Sequence, residues 1–142
     1  MDLESVIDQV GRDKGIERET LIETLEAAIL TAARRTYGEQ REIEAKFDEE
    51  TGQIDLYQIV TVNEEVENPY REASVESVQQ AGFDAEPGDE LLFQIFYRDE
   101  DKDKAKLQDE RFGDILNLDS YNSTFGRIAA QTAKQVIIQR VR

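Results

Sequence analysis

Among the residues that could do chemistry, two cations have spacing that carries information. Arg127 and Lys134 stand seven positions apart in FGRIAAQTAKQVIIQRVR, residues 125–142, a stretch with no acidic residue in a chain of net charge −15. Seven residues make close to two helical turns, so both side chains project along one edge of a helix. Arg34 and Arg35 form a second pair at the end of another helical pattern. Two cations on one helix edge, as Arg127 and Lys134 are, can neutralise phosphates, a contact that tolerates any base and weakens as salt rises. The plainer alternative is that all four solubilise helix ends, with Arg34 and Arg35 complementing the negative end of the helix dipole.

Other chemistries are poorly supplied. The 142 residues include no histidine and no cysteine, which removes the commonest general base near neutral pH, the Ser-His-Asp triad, thiol nucleophiles, disulfides and thiolate metal sites. The 32 carboxylates could furnish an acid-base pair or a Mg²⁺ or Ca²⁺ site. Yet DEDKDK at 99–104 lacks the glycine and the ligand spacing of a calcium loop, and no glycine-rich phosphate loop occurs. No catalytic residue, metal site, cofactor or small-molecule substrate is therefore expected. Every acidic side chain precedes Phe125, so broad nonspecific nucleic-acid binding is disfavoured and any RNA contact must be local. No apolar run approaches the roughly 18 residues of a membrane span, and MDLES lacks the parts of a signal peptide. The expectation is a cytoplasmic protein with no membrane partner, and a non-catalytic, chaperone-like acidic interaction module is the alternative class.

The elements that must position the cations follow from periodicity. In residues 125–142, Phe125, Ala129, Thr132, Ala133 and Val136 share one stripe, widened by Ala130, Ile137 and Val141. Gly126, Ala129, Ala130 and Ala133 let another element approach closely. No stop signal follows Arg142, so this helix is expected to connect to a further domain. At the other end, Asp2 can cap an opening helix carrying Leu3, Val6, Ile7 and Val10, stopped at Lys14-Gly15. A longer helix runs from about Arg18 to Tyr37, where Leu21, Ile22, Leu25, Ala28, Ile29, Ala32 and Ala33 make the apolar face and Gly38 ends it. Leu30 falls opposite that face. Its exposure is most simply incidental, though it is the one apolar candidate for a partner contact.

After Gly38 the period becomes alternating. Ile43, Ala45 and Phe47 share a face of a strand ending near Asp48, EETG turns, and Ile54, Leu56, Val60 and Val62 fit a second strand. Tyr57, Ile59 and Thr61 occupy its other face, so this strand is either covered on both sides or shifts register at Gln58. Ser74 caps a short helix, Val75 to Ala81, ended by Gly82. Glu86-Pro87-Gly88-Asp89 is a turn, and Glu90 to Arg98 reads as a strand with Leu91, Phe93, Ile95 and Tyr97 on one side. Asp99 to Thr124 is dense in mixed charge and reads as a long surface insertion, helical in part between Lys104 and Phe112, with low apolar content favouring mobility over packing.

FGRIAAQTAKQVIIQRVR resembles, almost letter for letter, the helix that closes the N-terminal domain of the bacterial transcription elongation and termination factor family NusA. KGIERETLIETLEAAILTAARRTYG, DEETGQI, NEEVENP and EPGDELLFQI are similar to that domain in the family's order, so the resemblance covers residues 1–98 and 125–142. Two departures stand out. Glu17 occupies the place of a usual helix-capping Ser or Pro, and Asp99 to Thr124 replaces a normally short connection.

The resemblance implies an α+β fold across residues 1–142: a head of small mixed or antiparallel sheet, a helical body, and a long C-terminal linker helix, 125–142, leading to RNA-binding domains absent from this chain. It implies docking on RNA polymerase at the β subunit's flap-tip helix near the RNA exit channel, with the α subunit's C-terminal domain as a further contact. It also implies effects on pausing, hairpin-dependent termination and antitermination. Residue by residue, the family's positions facing the nascent RNA hairpin correspond to Arg34, Arg35, Arg127 and Lys134. For the polymerase contact the resemblance names no residue, and Leu30 remains the candidate.

Overall fold

A computed structural model describes Ile7, Gln9, residues 17–116 and residues 118–140. Ile7 and Gln9 are helical; the rest of the expected opening helix, Val141, Arg142 and the side chain of Ile137 lie outside the described residues. The first complete element, α1, spans Arg18–Tyr37 and buries Leu21, Ile22, Leu25, Ile29 and Ala33, the i, i+3, i+4 recurrence of a one-faced helix. Glu17 enters with extended backbone and no side-chain cap. Gly38 leaves at φ 95°, a conformation that a side chain disfavours, while its N–H donates to the Arg34 carbonyl.

Strands β1 (Glu42–Asp48) and β2 (Gln53–Asn63) form an antiparallel hairpin in register from Glu42↔Ile59 to Asp48↔Gln53. The pairing passes Gln58 without a shift. β4 (Glu90–Ile95) pairs antiparallel with the opposite edge of β2. The short β3 (Glu72–Ser74) runs parallel to β2 through Thr61↔Glu72 to Asn63↔Ser74, continuing the edge where β1 leaves off. The sheet is therefore mixed. Ser74 then caps α2 (Val75–Gln80), its hydroxyl accepting from the Ser77 N–H at 3.1 Å. Three residues of parallel strand carry too little pattern to be read in advance, and β4 ends at Ile95, three residues short of the expected Arg98.

β2 is the centre, and its inner face divides. Ile54 and Leu56 pack with Ile7, α1, Ile43 and the closing helix in one cluster, while Val60 and Val62 belong to a second with Ala73, Val78, Phe93, Ile115 and Leu116. Between them on the same face sits Gln58, fully buried. Its side-chain oxygen accepts from the Arg41 guanidinium at 3.2 Å and its amide donates to the Tyr70 carbonyl at 2.8 Å. Arg41, itself buried, also donates to the Leu116 carbonyl at 3.1 Å and lies over the Tyr70 ring. Burial pushes its pKa down and proximity to Tyr70 pushes it up, the first effect being the larger.

The segment 99–124 corrects the expectation of a mobile insertion. A 3₁₀ turn at Asp99–Asp101 leads into α3 (Lys102–Leu116), which buries Ala105, Ile115 and Leu116. Phe112 packs at 4.9 Å from the Phe83 ring and 5.6 Å from the Phe93 ring. The segment returns along the sheet edge, the Phe96 N–H donating to the Ser120 carbonyl and the Asn122 N–H to the Phe96 carbonyl. Its apolar residues are few, but Phe112, Ile115 and Leu116 fall on one side and help seal the second cluster, while Leu107 stays exposed.

The closing helix α4 (Ser123–Arg140) buries Phe125, Ala129, Ala133 and Val136. Tyr37, the last residue of α1, meets Phe125, in the first turn of α4, with ring centroids 5.8 Å apart, so the two helices run antiparallel. Gly126 allows the close approach: a β-carbon there would collide with the Tyr97 carbonyl oxygen.

Two stability predictions follow from these contacts. Phe112→Ala should cost about 2–4 kcal/mol and Leu107→Ala, on the exposed side of α3, less than about 0.5 kcal/mol, as read by urea unfolding; equal small losses would return the segment to the status of a loose insertion. Gly126→Ala should destabilise by about 1–3 kcal/mol through overpacking, against the usual helical preference for alanine.

Candidate nucleic-acid and protein interface

Arg127 and Lys134 project from the outer side of α4, both exposed. Neither makes an ion pair or side-chain hydrogen bond among the described residues. Arg34 and Arg35 are exposed in the last turn of α1 and equally free among the described residues. Because α1 and α4 are antiparallel, the end of α1 lies beside the start of α4. Arg34 and Arg35 thus stand at the end of the helical layer from which Arg127 also rises, while Lys134 lies about 10 Å further along α4 at 1.5 Å per residue. The four cations share one layer but not one cluster.

Beside Arg127, α4 borders a groove of about 580 Å³. Its helical wall is Ser123, Gly126, Ala129, Ala130 and Ala133, with Arg127 at its edge and Ile29 from α1, and the facing wall is Gln53, Tyr97, Arg98, Asp99 and Glu100. The sequence pattern marks these small residues as permitting close approach. Part of that permission is used by the Tyr97 backbone, and the rest leaves the groove open.

The facing wall is held rigidly. Arg98 donates to Asp55 at 2.9 Å and lies 3.4 Å from carboxylate oxygens of both Glu100 and Asp101. The Tyr97 hydroxyl donates to the Ile54 carbonyl, its ring meets Phe125 edge-on at 5.4 Å, and burial pushes its pKa up to about 12. Arg98 is thus occupied by carboxylates, whereas Asp99 and Glu100 keep exposed acidic groups on the rim. A phosphate is attracted to the outer side of Arg127 and repelled from this wall. The groove thus has a floor of small residues between an acidic rim and Arg127.

Leu30 is half-buried and packs against the main core cluster, less exposed than its place opposite the apolar face of α1 suggests. The groove along Gly126, Ala129, Ala130 and Ala133 is the apolar surface that sequence reasoning passed over. Its signal was present in the run of small residues at helical spacing. Among the described residues there is no cluster of acidic side chains able to hold a metal ion, and no helix long and apolar enough to cross a membrane.

Comparison with known proteins adds the lineage. The family model for the NusA N-terminal domain matches residues 2–105 and 100–142. The chain is 35% identical over 136 residues to the transcription termination/antitermination protein NusA of Rickettsia conorii, covering 96% of this chain and 22% of that protein. It is 32% identical over 131 residues to NusA of Bacillus subtilis, covering 92% of this chain and 29% of that protein. The chain therefore spans about a quarter of the length of the curated relatives it matches. The solution structure of the N-terminal domain of NusA from Bacillus subtilis superposes with a TM-score of 0.67 at 29% identity, covering 99% of this chain and 93% of that one. An α+β fold with a four-stranded mixed sheet, the cations on its helical layer and these matches lead to one assignment: the chain belongs to the NusA N-terminal domain family.

Proposed function

We propose that this domain is the polymerase-docking part of a transcription termination/antitermination factor. It seats on RNA polymerase at the β flap-tip helix near the RNA exit channel, touches the α subunit's C-terminal domain, and presents Arg34, Arg35, Arg127 and Lys134 to the nascent RNA hairpin. Its role is non-catalytic and cytoplasmic, and it modulates pausing and hairpin-dependent termination. The observation that carries this reading is the exposure of Arg127 and Lys134, free of ion pairs among the described residues, in a chain whose 32 acidic residues offer ample partners. Cations left in water amid that many carboxylates are available to an incoming polyanion.

The groove beside Arg127 supports the protein half of the proposal. A helix laid in a groove needs small or apolar floor residues and a polar rim, and Ala129, Ala130 and Ala133 beneath Asp99 and Glu100 supply both. The two surfaces meet at Arg127, which edges the groove, while Lys134 stands outside its lining, so polymerase held in the groove would leave the exposed side of α4 facing the transcript.

The halves separate by mutation. Arg127→Ala with Lys134→Ala should weaken hairpin-dependent pausing and lower the salt slope of RNA binding by roughly 1 to 2, while cobinding to an isolated β flap fragment stays within about twofold. Ala130→Glu, an exposed groove position, should cut flap cobinding by about tenfold or more, consistent with a charge forced into an apolar contact, and leave the RNA salt slope unchanged. Equal losses in both assays from either variant would contradict the division. No detectable flap complex at tens of micromolar would remove the polymerase half altogether.

A further inference from the structure

At the junction of α1, the sheet and the loop leading to α4 lies a second cleft, of about 470 Å³, within the roughly 300–1,000 Å³ range of small-ligand sites. Tyr70 is the telling residue. Its ring is 40% exposed, yet its backbone is pinned on both sides: the carbonyl accepts from buried Gln58 at 2.8 Å and the N–H donates to the Asn68 side chain at 3.0 Å. The Arg41 guanidinium lies against the ring, 5.1 Å from its centroid, so the exposure belongs to the rest of the aromatic surface. The result is a rigid aromatic platform with a cation held against it, and both Tyr70 and Arg41 line the cleft.

The remaining walls have complementary chemistry. Tyr37 and Asn122 line the cleft, and the Tyr37 hydroxyl is buried with no partner in hydrogen-bond geometry among the described residues, the Asn122 side chain lying close by. Arg34 and Arg35 occupy the same helical turn as Thr36 and Tyr37 but do not line the cleft, whose lining cation is Arg41. Asp119, exposed on the loop wall, disfavours a phosphate there but can accept from a base amine.

We propose that this cleft takes one unpaired nucleotide, its base stacked on Tyr70 beside the Arg41 guanidinium. Aromatic platforms flanked by cations hold single-stranded bases through stacking, which every base can supply. The proposal rests on the RNA reading above in one respect: an RNA strand is then the natural source of the nucleotide, the other source being a free mononucleotide. The cleft is separate from Arg127 and Lys134, so its contribution can be measured apart from theirs.

The chain contains no tryptophan, which makes Tyr70→Trp both a conservative variant and a reporter. Its fluorescence should be quenched on addition of octauridylate or octaadenylate, with ATP as the mononucleotide arm. Quenching by ATP as well as by the octamers assigns a free nucleotide as a competent source, whereas quenching by the octamers alone assigns an RNA strand. In anisotropy with fluorescein-labelled octamers, Tyr70→Ala should weaken binding by about fivefold or more with the salt slope unchanged, and Tyr70→Trp should bind within about twofold of the parent chain. The same Tyr70→Ala loss should persist when Arg127 and Lys134 are both alanine. Octamer binding undiminished in Tyr70→Ala, or no quenching by any of the three probes, overturns the cleft while leaving the helix cations standing if their salt slope is present. A loss in Tyr70→Ala matched by Tyr70→Trp, with melting temperature lowered in both, assigns Tyr70 a structural role and also overturns it. Absence of binding to any RNA, hairpin or octamer, at low salt sinks both readings together.

Discussion

Gln58 is a fully buried amide on the strand to which β1, β3 and β4 all pair, and the molecule is arranged around satisfying it. An amide left without partners in such a place costs several kcal/mol. Here Arg41 and the Tyr70 carbonyl meet it, and Arg41 reaches on to the Leu116 carbonyl. One polar knot thereby ties the loop after α1, the central strand, the loop before β3 and the end of α3. The apolar residues on either side of Gln58 are free to form two cores, one beneath the helices and one beneath α2 and α3.

Two cores joined by a knot allow the surfaces to differ in kind. The helical core fixes α1 against α4, which sets out the cations and the small-residue groove. The other core fixes the turns and α3, which contribute charge of the opposite sign. Since no acidic residue falls within residues 125–142, α4 remains locally positive on a strongly negative body. Segregation of charge lets a single small domain attract a polyanion at one place without adhering to it everywhere.

Legibility in the sequence tracked how strongly each element repeats itself. α1 was readable to the residue because five buried positions recur at helical spacing, and the β1–β2 hairpin because Ile43, Ala45 and Phe47 alternate before an obvious turn. α3 was not, since its stripe is interrupted by seven charged residues from Lys102 to Arg111, and the aromatic partners of Phe112 lie at Phe83 and Phe93, distant in sequence. The exposed cations could be named, but whether each was free depended on tertiary neighbours. Arg41 and Arg98 show the difference: composition makes them look like Arg34, yet one is drawn into the polar knot and the other into a cage of carboxylates.

The position of Arg98 explains why the groove keeps its shape. A guanidinium at the end of β4 would by itself add positive charge to the wall facing α4. Asp55, only 6% exposed, takes up Arg98 from β2, and Asp101 and Glu100 approach from the turn that begins α3. Removing one partner from such a partly buried cluster is costly because the remaining charges lose their compensation. The turn at Asp99–Asp101 is therefore anchored through Arg98 to the central strand, and Asp99 and Glu100 are carried to the groove's rim by the same attachment. The segment 99–124, whose charge made it look dispensable, thus supplies the acidic wall that faces α4 and Arg127 across the groove.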